Sequence, residues 1–353
     1  MEYNATTAWI SRVVKYGHRY VGSPVLGSLL TIGWMPIVLS LVAIDLTEAS
    51  QTFLIVQFLC VLPLTFAPVT AWYYDERALP SFFQSVDEVV APGQDSLLQE
   101  IAKKYDTVVS RYWWVTALPF TVVYILIFFA GNNYFISEGI TSLHEQIAYL
   151  IFFAYFGLFV GLGFHAGIVM IATTRELSDR VELEIDPLHP DNLGGLSSTG
   201  EFAIRTTIIL SVGSLMVPLG LQIALYTGAE LALLVYSIIG LYSIILAGSF
   251  IYPTYRINQK AQEVRDRELS DYRERIRELE NRLSGLDNDN ESNSDPSHQQ
   301  QLQLEIQRTR EEFRDFQNVQ LYPLSISIII RLITSVFLPI FFAIFELFIS
   351  DFL

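Results

Sequence analysis

Seven apolar stretches, each long enough to cross a lipid bilayer, dominate the chain: Pro24–Ile44, Thr52–Tyr73, Trp113–Ala130, Ile147–Thr173, Thr206–Tyr226, Leu231–Tyr252 and Leu324–Ile349. A helix needs about 20 apolar residues to span the hydrocarbon core. The expected fold is therefore all-α: a seven-span transmembrane helical bundle with soluble segments between the spans. Residues 24–73 hold spans one and two, 113–173 spans three and four, and 206–254 spans five and six. Residues 323–353 hold span seven and an external C-terminus.

The basic residues fix an orientation. The N-terminal residues 1–23 carry Arg12, Lys15 and Arg19, the second connection (74–112) carries Arg77, Lys103, Lys104 and Arg111, and the fourth (174–205) carries Arg175, Arg180 and Arg205. The sixth connection (255–322) is richer still, from Arg256 to Arg314, whereas the first, third and fifth carry no lysine or arginine. By the positive-inside rule the N-terminus and the even connections face the cytoplasm of a cell membrane. Trp72, Tyr73, Tyr74, Trp113 and Trp114 at the span ends suit interfacial belts.

Composition narrows the setting. Of 353 residues 51% are hydrophobic, yet the formal charge is −15. Apolar residues in lipid and charges in the connections reconcile the two. Lysine is scarce: Lys15, Lys103, Lys104 and Lys260 stand against eighteen arginines. An excess of carboxylates with little lysine resembles the protein style of halophilic archaea, in whose salt like-charge repulsion is screened. No nucleic-acid partner is expected, because such proteins carry a net basic face. The lone Cys60 lies in an apolar run, so neither an internal disulfide nor a zinc finger is expected. No signal peptide is expected, since the first apolar run is already of span length.

Within the spans the chemistry is sparse. Prolines interrupt five of them, at Pro36, Pro63 and Pro68, Pro119, Pro218 and Pro339. Such breaks either line a transport cavity or are kinks repaired by packing. In span four Gly157/Gly161 and Gly163/Gly167 have the spacing that lets helix backbones touch. His165 stands inside the second pair, as a functional group or as a neutral ring bonded to a carbonyl or to Gln222. Arg331 either snorkels to the headgroups or faces an inner cavity. His165, Gln222 and Arg331 form the candidate intramembrane site. Retinal is not expected as a cofactor, because no lysine lies in any span to form a Schiff base. The spans also lack paired carboxylates, a nucleophile motif or a histidine cluster. The "YD" of Tyr74 and Asp75 resembles one motif of presenilin-like proteases, but "GLGF" at Gly161–Phe164 lacks the aspartate of their second.

The soluble connections have their own patterns. In residues 74–112 two apolar runs, Leu79 to Val90 and Leu97 to Tyr112, read as amphipathic helices lying on the membrane face or against the bundle. Ser96 and Gln99 are spaced as a capping box for the second. In residues 255–322, Leu269, Tyr272, Ile276, Leu279, Leu283 and Leu286 alternate three and four apart, as a coiled-coil seam does. Leu302, Ile306, Thr309, Phe313 and Phe316 repeat the pattern. The expected structure is an antiparallel coiled-coil hairpin with a disordered tip at 287–300. Its seam serves the hairpin itself, self-association or a cytoplasmic partner.

The fourth connection contains "IDPLHPDNLGGLSSTGE". Asp186, His189 and Asp191 offer two carboxylates and an imidazole to a metal. Gly194 and Gly195, ahead of a helix N-terminus, suit an anion. A stiff elbow that sets the angle of span five is the third reading. "HPD" resembles the signature of J-domain co-chaperones in those three residues only; the acidic flank and the adjoining span do not fit. The segment is similar to an HPD…GGL element of uncharacterised prokaryotic polytopic membrane proteins, a resemblance that implies no activity. The residues point to a transporter- or channel-like bundle, with a sensor or scaffold acting through its coiled coil as the alternative and no enzyme expected.

Overall fold

The computed structural model describes residues 8–87, 89–182, 197–226, 229–289 and 296–318, and every regular element among them is helical. The chain opens with α1 (Trp9–Val21) and turns at Gly22, whose φ of 67° places it in the left-handed region that favours glycine. Then follow α2 (Pro24–Ala43), α3 (Gln51–Asp87), α4 (Asp95–Ala130), the short α5 (Asn132–Ser137) and α6 (Leu143–Arg180). Helix α7 starts at Ser197 and ends at Tyr226; α8 covers Ala229–Asp289 and α9 Pro296–Asn318. Six of these, α2, α3, α4, α6, α7 and α8, are long and apolar enough to cross a membrane, which suggests a membrane protein. Six of the seven expected spans thus have a helix. The seventh stretch, Leu324–Ile349, lies outside the described residues.

Proline sets the irregular turns. Pro36, Pro80 and Pro218 lie within helices but cannot donate to the carbonyl four residues back. The turn just before each is distorted: a π-turn at Leu29–Gly33, another at Tyr74–Ala78, and a 3₁₀ turn at Gly213–Met216. Single π- and 3₁₀ turns are how helices absorb such a defect.

Two cores hold the bundle. The first gathers Phe53, Phe128, Phe135, Tyr149, Phe152 and Phe153, all nearly inaccessible. Its aromatic rings meet edge-on or stacked, as ring quadrupoles prefer; Tyr149 and Phe152 stack at 5.4 Å. Gln57 threads this core with both ends bonded. It donates to Ser40 Oγ and accepts from the Tyr149 hydroxyl, each at 2.8 Å. The second core, at the other end of the bundle, joins Phe82, Phe83, Leu98, Ile101, Met170, Phe202 and Phe250.

The glycines of α6 divide their labour. A methyl group on Gly157 would lie 2.7 Å from the Phe120 carbonyl oxygen, and one on Gly161 2.5 Å from Ala117 Cα, so this pair brings α4 and α6 into backbone contact. Gly163 and Gly167 instead face side chains, Leu210 of α7 and Ile245 of α8. A further close crossing joins α1 and α2, where a methyl on Gly17 would stand 2.3 Å from the Gly27 carbonyl oxygen.

Several expectations change. Residues 1–23 contain a helix, α1, which buries Ile10, Ser11, Val14 and Gly17. Of the two placements expected for the amphipathic helices of residues 74–112, the one against the bundle is found. They extend α3 and α4 beyond the apolar runs and bury Phe82, Phe83, Leu98 and Ile101 in the second core. The Ser96/Gln99 capping box does not form. Helix α4 starts at Asp95 after Gln94, whose side chain accepts instead from the Glu182 backbone N–H at 2.9 Å. A complete capping box occurs at Ser142 and Glu145, at the start of α6.

In the arm, α8 and α9 run in opposite directions: Tyr272 meets Phe316, while Leu279 clusters with Leu302 and Ile306. Helix α8 continues to Asp289 and α9 resumes at Pro296, inside the stretch expected to be unstructured. Pro296 suits a first helical position, where its missing N–H has no intrahelical partner to lose. Ion pairs Arg275–Glu305 at 3.2 Å and Arg310–Glu280 at 2.7 Å flank the apolar contacts.

Candidate intramembrane site

Between the two cores the helices do not close. A cavity of about 230 Å³ lies among α1, α3, α4, α6, α7 and α8. A water occupies roughly 30 Å³ of liquid, so this is larger than a packing defect. Its walls are apolar for most of their length, with Phe66, Leu210, Ile223, Val235 and Leu246 among them. The distorted turn before Pro218 contributes Gly213 and Met216 to the same wall.

Polar chemistry gathers at one end. Asp75 lies in the π-turn that carries α3 past its apolar run, and is only 4% exposed. One carboxylate oxygen accepts from the Ala8 backbone N–H at 3.0 Å. Ala8 precedes the first residue of α1, so the carboxylate meets a helix N-terminus, where the macrodipole favours negative charge. Tyr74 donates to the Ala166 carbonyl at 3.3 Å and stacks on Phe202. Trp9, next to Ala8, packs against Trp113 with ring centroids 5.4 Å apart, and both indoles line the cavity. Thr206, also a lining residue, is fully buried, and its hydroxyl has no hydrogen-bond partner among the described residues.

His165 lines this cavity and is buried. Its Nε2 lies 3.1 Å from the Val108 carbonyl oxygen, so this nitrogen carries the proton and donates. The ring is thus held by a carbonyl, one of the two structural alternatives; the other, Gln222, accepts from the Tyr134 hydroxyl at 2.9 Å. The hydrogen bonds described for His165 and Gln222 run to different partners. Arg331 lies outside the described residues, as do Asp186, His189, Asp191, Gly194 and Gly195. What precedes that loop is anchored: the Ala91 N–H donates to the Glu182 carbonyl at 3.0 Å. Among the described residues no cluster of three or more His, Cys, Asp or Glu side chains could hold a metal ion.

Below the cavity, ion pairs tie the helices together. Glu176 of α6 receives Lys104 at 2.5 Å, the Tyr105 hydroxyl at 2.9 Å and Arg180 at 2.8 Å. Arg256 of α8 pairs with Asp179 of α6, joining the root of the arm to the bundle.

Sequence reading noted Asp75 only as half of a dipeptide motif and passed over Thr206 and Ser11. One signal was available: Asp75 is the first acid after an uncharged run from Gln51. Its partner, 67 residues earlier, was not readable. No family model, curated protein or solved structure matches the chain.

Proposed function

We propose that this is a multi-pass cell-membrane protein of the transporter type, which takes a small, mostly apolar molecule into the cavity between its helices. The observation that carries this reading is the cavity itself: among the described residues its walls are mostly apolar and lead to one buried carboxylate, Asp75. That lining argues for an amphipathic cargo over a hydrated ion, which needs polar groups along its route. The proline-distorted turn of α7 supports movement at the cavity wall. The arginine distribution supports an orientation with the arm inside, and the acidic excess supports a salt-rich cytoplasm. The seven-span count and the coiled-coil form of the arm belong to the same proposal.

Cysteine accessibility tests it. In a Cys60→Ala background, Thr206→Cys and Ile238→Cys place thiols in the cavity wall. Both should react with a small maleimide in membrane vesicles, and Thr206→Cys should also react with an impermeant thiol reagent in inside-out vesicles. Thiols inert to every reagent would mean a filled cavity, and the transport reading would fail.

A sensor that relays cavity occupancy to a partner is the second reading. Helix α8 favours it, because one helix of 61 residues forms part of the cavity wall and then one strand of the arm. Uptake of the cargo into sealed vesicles separates the two readings.

A further inference from the structure

The chemistry at the polar end of the cavity specifies what it would hold. We infer that the cavity is a site for an amphiphile with an ammonium head, seated with its nitrogen at Asp75 between the rings of Trp9, Trp113 and Tyr74 and its alkyl tail among Ile223, Val235 and Leu246. This rests on the cavity being a binding site, as proposed above.

Four observations converge on that class. First, Asp75 is a buried carboxyl, and burial makes its charged form costly unless a cation pairs with it. The Ala8 N–H and the partial charge of the α1 N-terminus supply about half a unit of positive charge, which leaves room for a full cation. An anionic head would meet the Asp75 carboxylate itself; the neighbouring Glu76 is paired with Lys15 at 2.6 Å and adds little to that field. Second, the indoles of Trp9 and Trp113 line the same cavity, and their ring faces carry negative potential. A cation over an indole gains most where water is excluded. Third, the Thr206 hydroxyl, fully buried and without a protein partner among the described residues, lines the same cavity and can accept a hydrogen from an ammonium or donate to a neighbouring oxygen of the ligand. Fourth, the polarity is graded along the axis. Asp75 follows the end of an apolar run, and the opposite end of the cavity is mostly apolar, with Ile223 and Val235 beside Tyr124. A molecule lying along it would keep its head near the interface and its tail in the core, as a lipid-soluble amine does in a bilayer.

The test uses the full-length protein in lipid nanodiscs, titrated calorimetrically against empty nanodiscs with octylammonium, octanol and octanoate. The three share one tail and differ only in the head. Octylammonium should bind roughly tenfold or more tightly than octanol, and octanoate more weakly than either. Asp75→Asn keeps an oxygen for the Ala8 N–H and removes the charge. It should bring octylammonium down to the level of octanol and leave octanol unchanged. Trp113→Leu gives a second reading should Asp75→Asn fold poorly: it should weaken octylammonium several-fold relative to octanol. Equal affinity for octylammonium and octanol, or a preference for octanoate, overturns the ammonium inference while leaving a binding cavity. Failure of all three to bind overturns the cavity reading as well.

Discussion

The two ends of the bundle solve the same packing problem in opposite ways. At the Phe53–Tyr149–Phe152 end, large rings fill the space and the buried polar group, Gln57, is bonded at both its oxygen and its nitrogen. At the Asp75–Thr206 end, rings of similar size stand around a void, and a buried hydroxyl has no partner among the described residues. Protein interiors rarely leave a void this size, and buried polar groups rarely go unbonded. Ser28 and Thr173 are also buried without a partner among the described residues, so what separates this end is the coincidence of an unbonded hydroxyl with an open cavity. The prolines divide in the same way: Pro63 and Pro68 leave α3 regular, whereas Pro80 and Pro218 follow distorted turns that line the cavity.

The largest effect should come from emptying the filled end. Phe152→Ala removes a fully buried ring stacked on Tyr149 and should cost about 3–5 kcal/mol of stability, measured by chemical unfolding in lipid. A cost near zero would show that this end is as loosely packed as the other.

Next comes the helix crossing between the two ends. Gly161→Val would drive a side chain into the Ala117 backbone of α4 and should cost about 1–3 kcal/mol. Gly163→Ala is the matched control: its methyl would meet only Leu210 Cδ2, at 3.7 Å, and should be tolerated. Equal costs would mean that both glycine pairs have the same role.

The sequence revealed the first pair's role and six of the seven apolar stretches as long helices, because both depend on local patterns: the length of an apolar run and the spacing of small residues along one helix face. It also revealed the buried faces of residues 74–112, through helical spacing from Leu79 to Tyr112. What it concealed was set by pairs distant along the chain. Asp75 reads only as half of a dipeptide motif until Ala8 is found beside it. His165 reads equally as a functional group or as a ring bonded to a carbonyl or to Gln222 until the Val108 carbonyl is found at 3.1 Å. Helix α1 was hidden for a different reason. It is short, basic and only one face is apolar, so hydropathy over a span-length window passes it by.

A smaller effect should come from one hydroxyl at the filled end. Tyr149→Phe keeps the ring and removes the donor to Gln57. Hydrogen bonds between membrane helices average about 0.6 kcal/mol, and the cost should be of that order. A loss several times larger would show that Gln57 anchors more than its two visible bonds.

The smallest effect on stability should come from the corresponding change at the other end, Thr206→Val. The hydroxyl it removes has no partner to abandon, and the replacement has nearly the same shape. Replacing an unsatisfied buried polar group by an apolar one is neutral or slightly stabilising. Unfolding should therefore be unchanged within about 0.5 kcal/mol, the range of substitutions that break no specific interaction. Octylammonium should nonetheless bind several-fold more weakly, since one polar contact to its head is gone. That separation, an unchanged fold with altered binding, is what a group kept for a ligand produces and a packing residue does not. If Thr206→Val instead destabilises as much as Tyr149→Phe and leaves binding untouched, its hydroxyl serves the fold, and the two ends of the bundle differ in how tightly they pack and not in what they do.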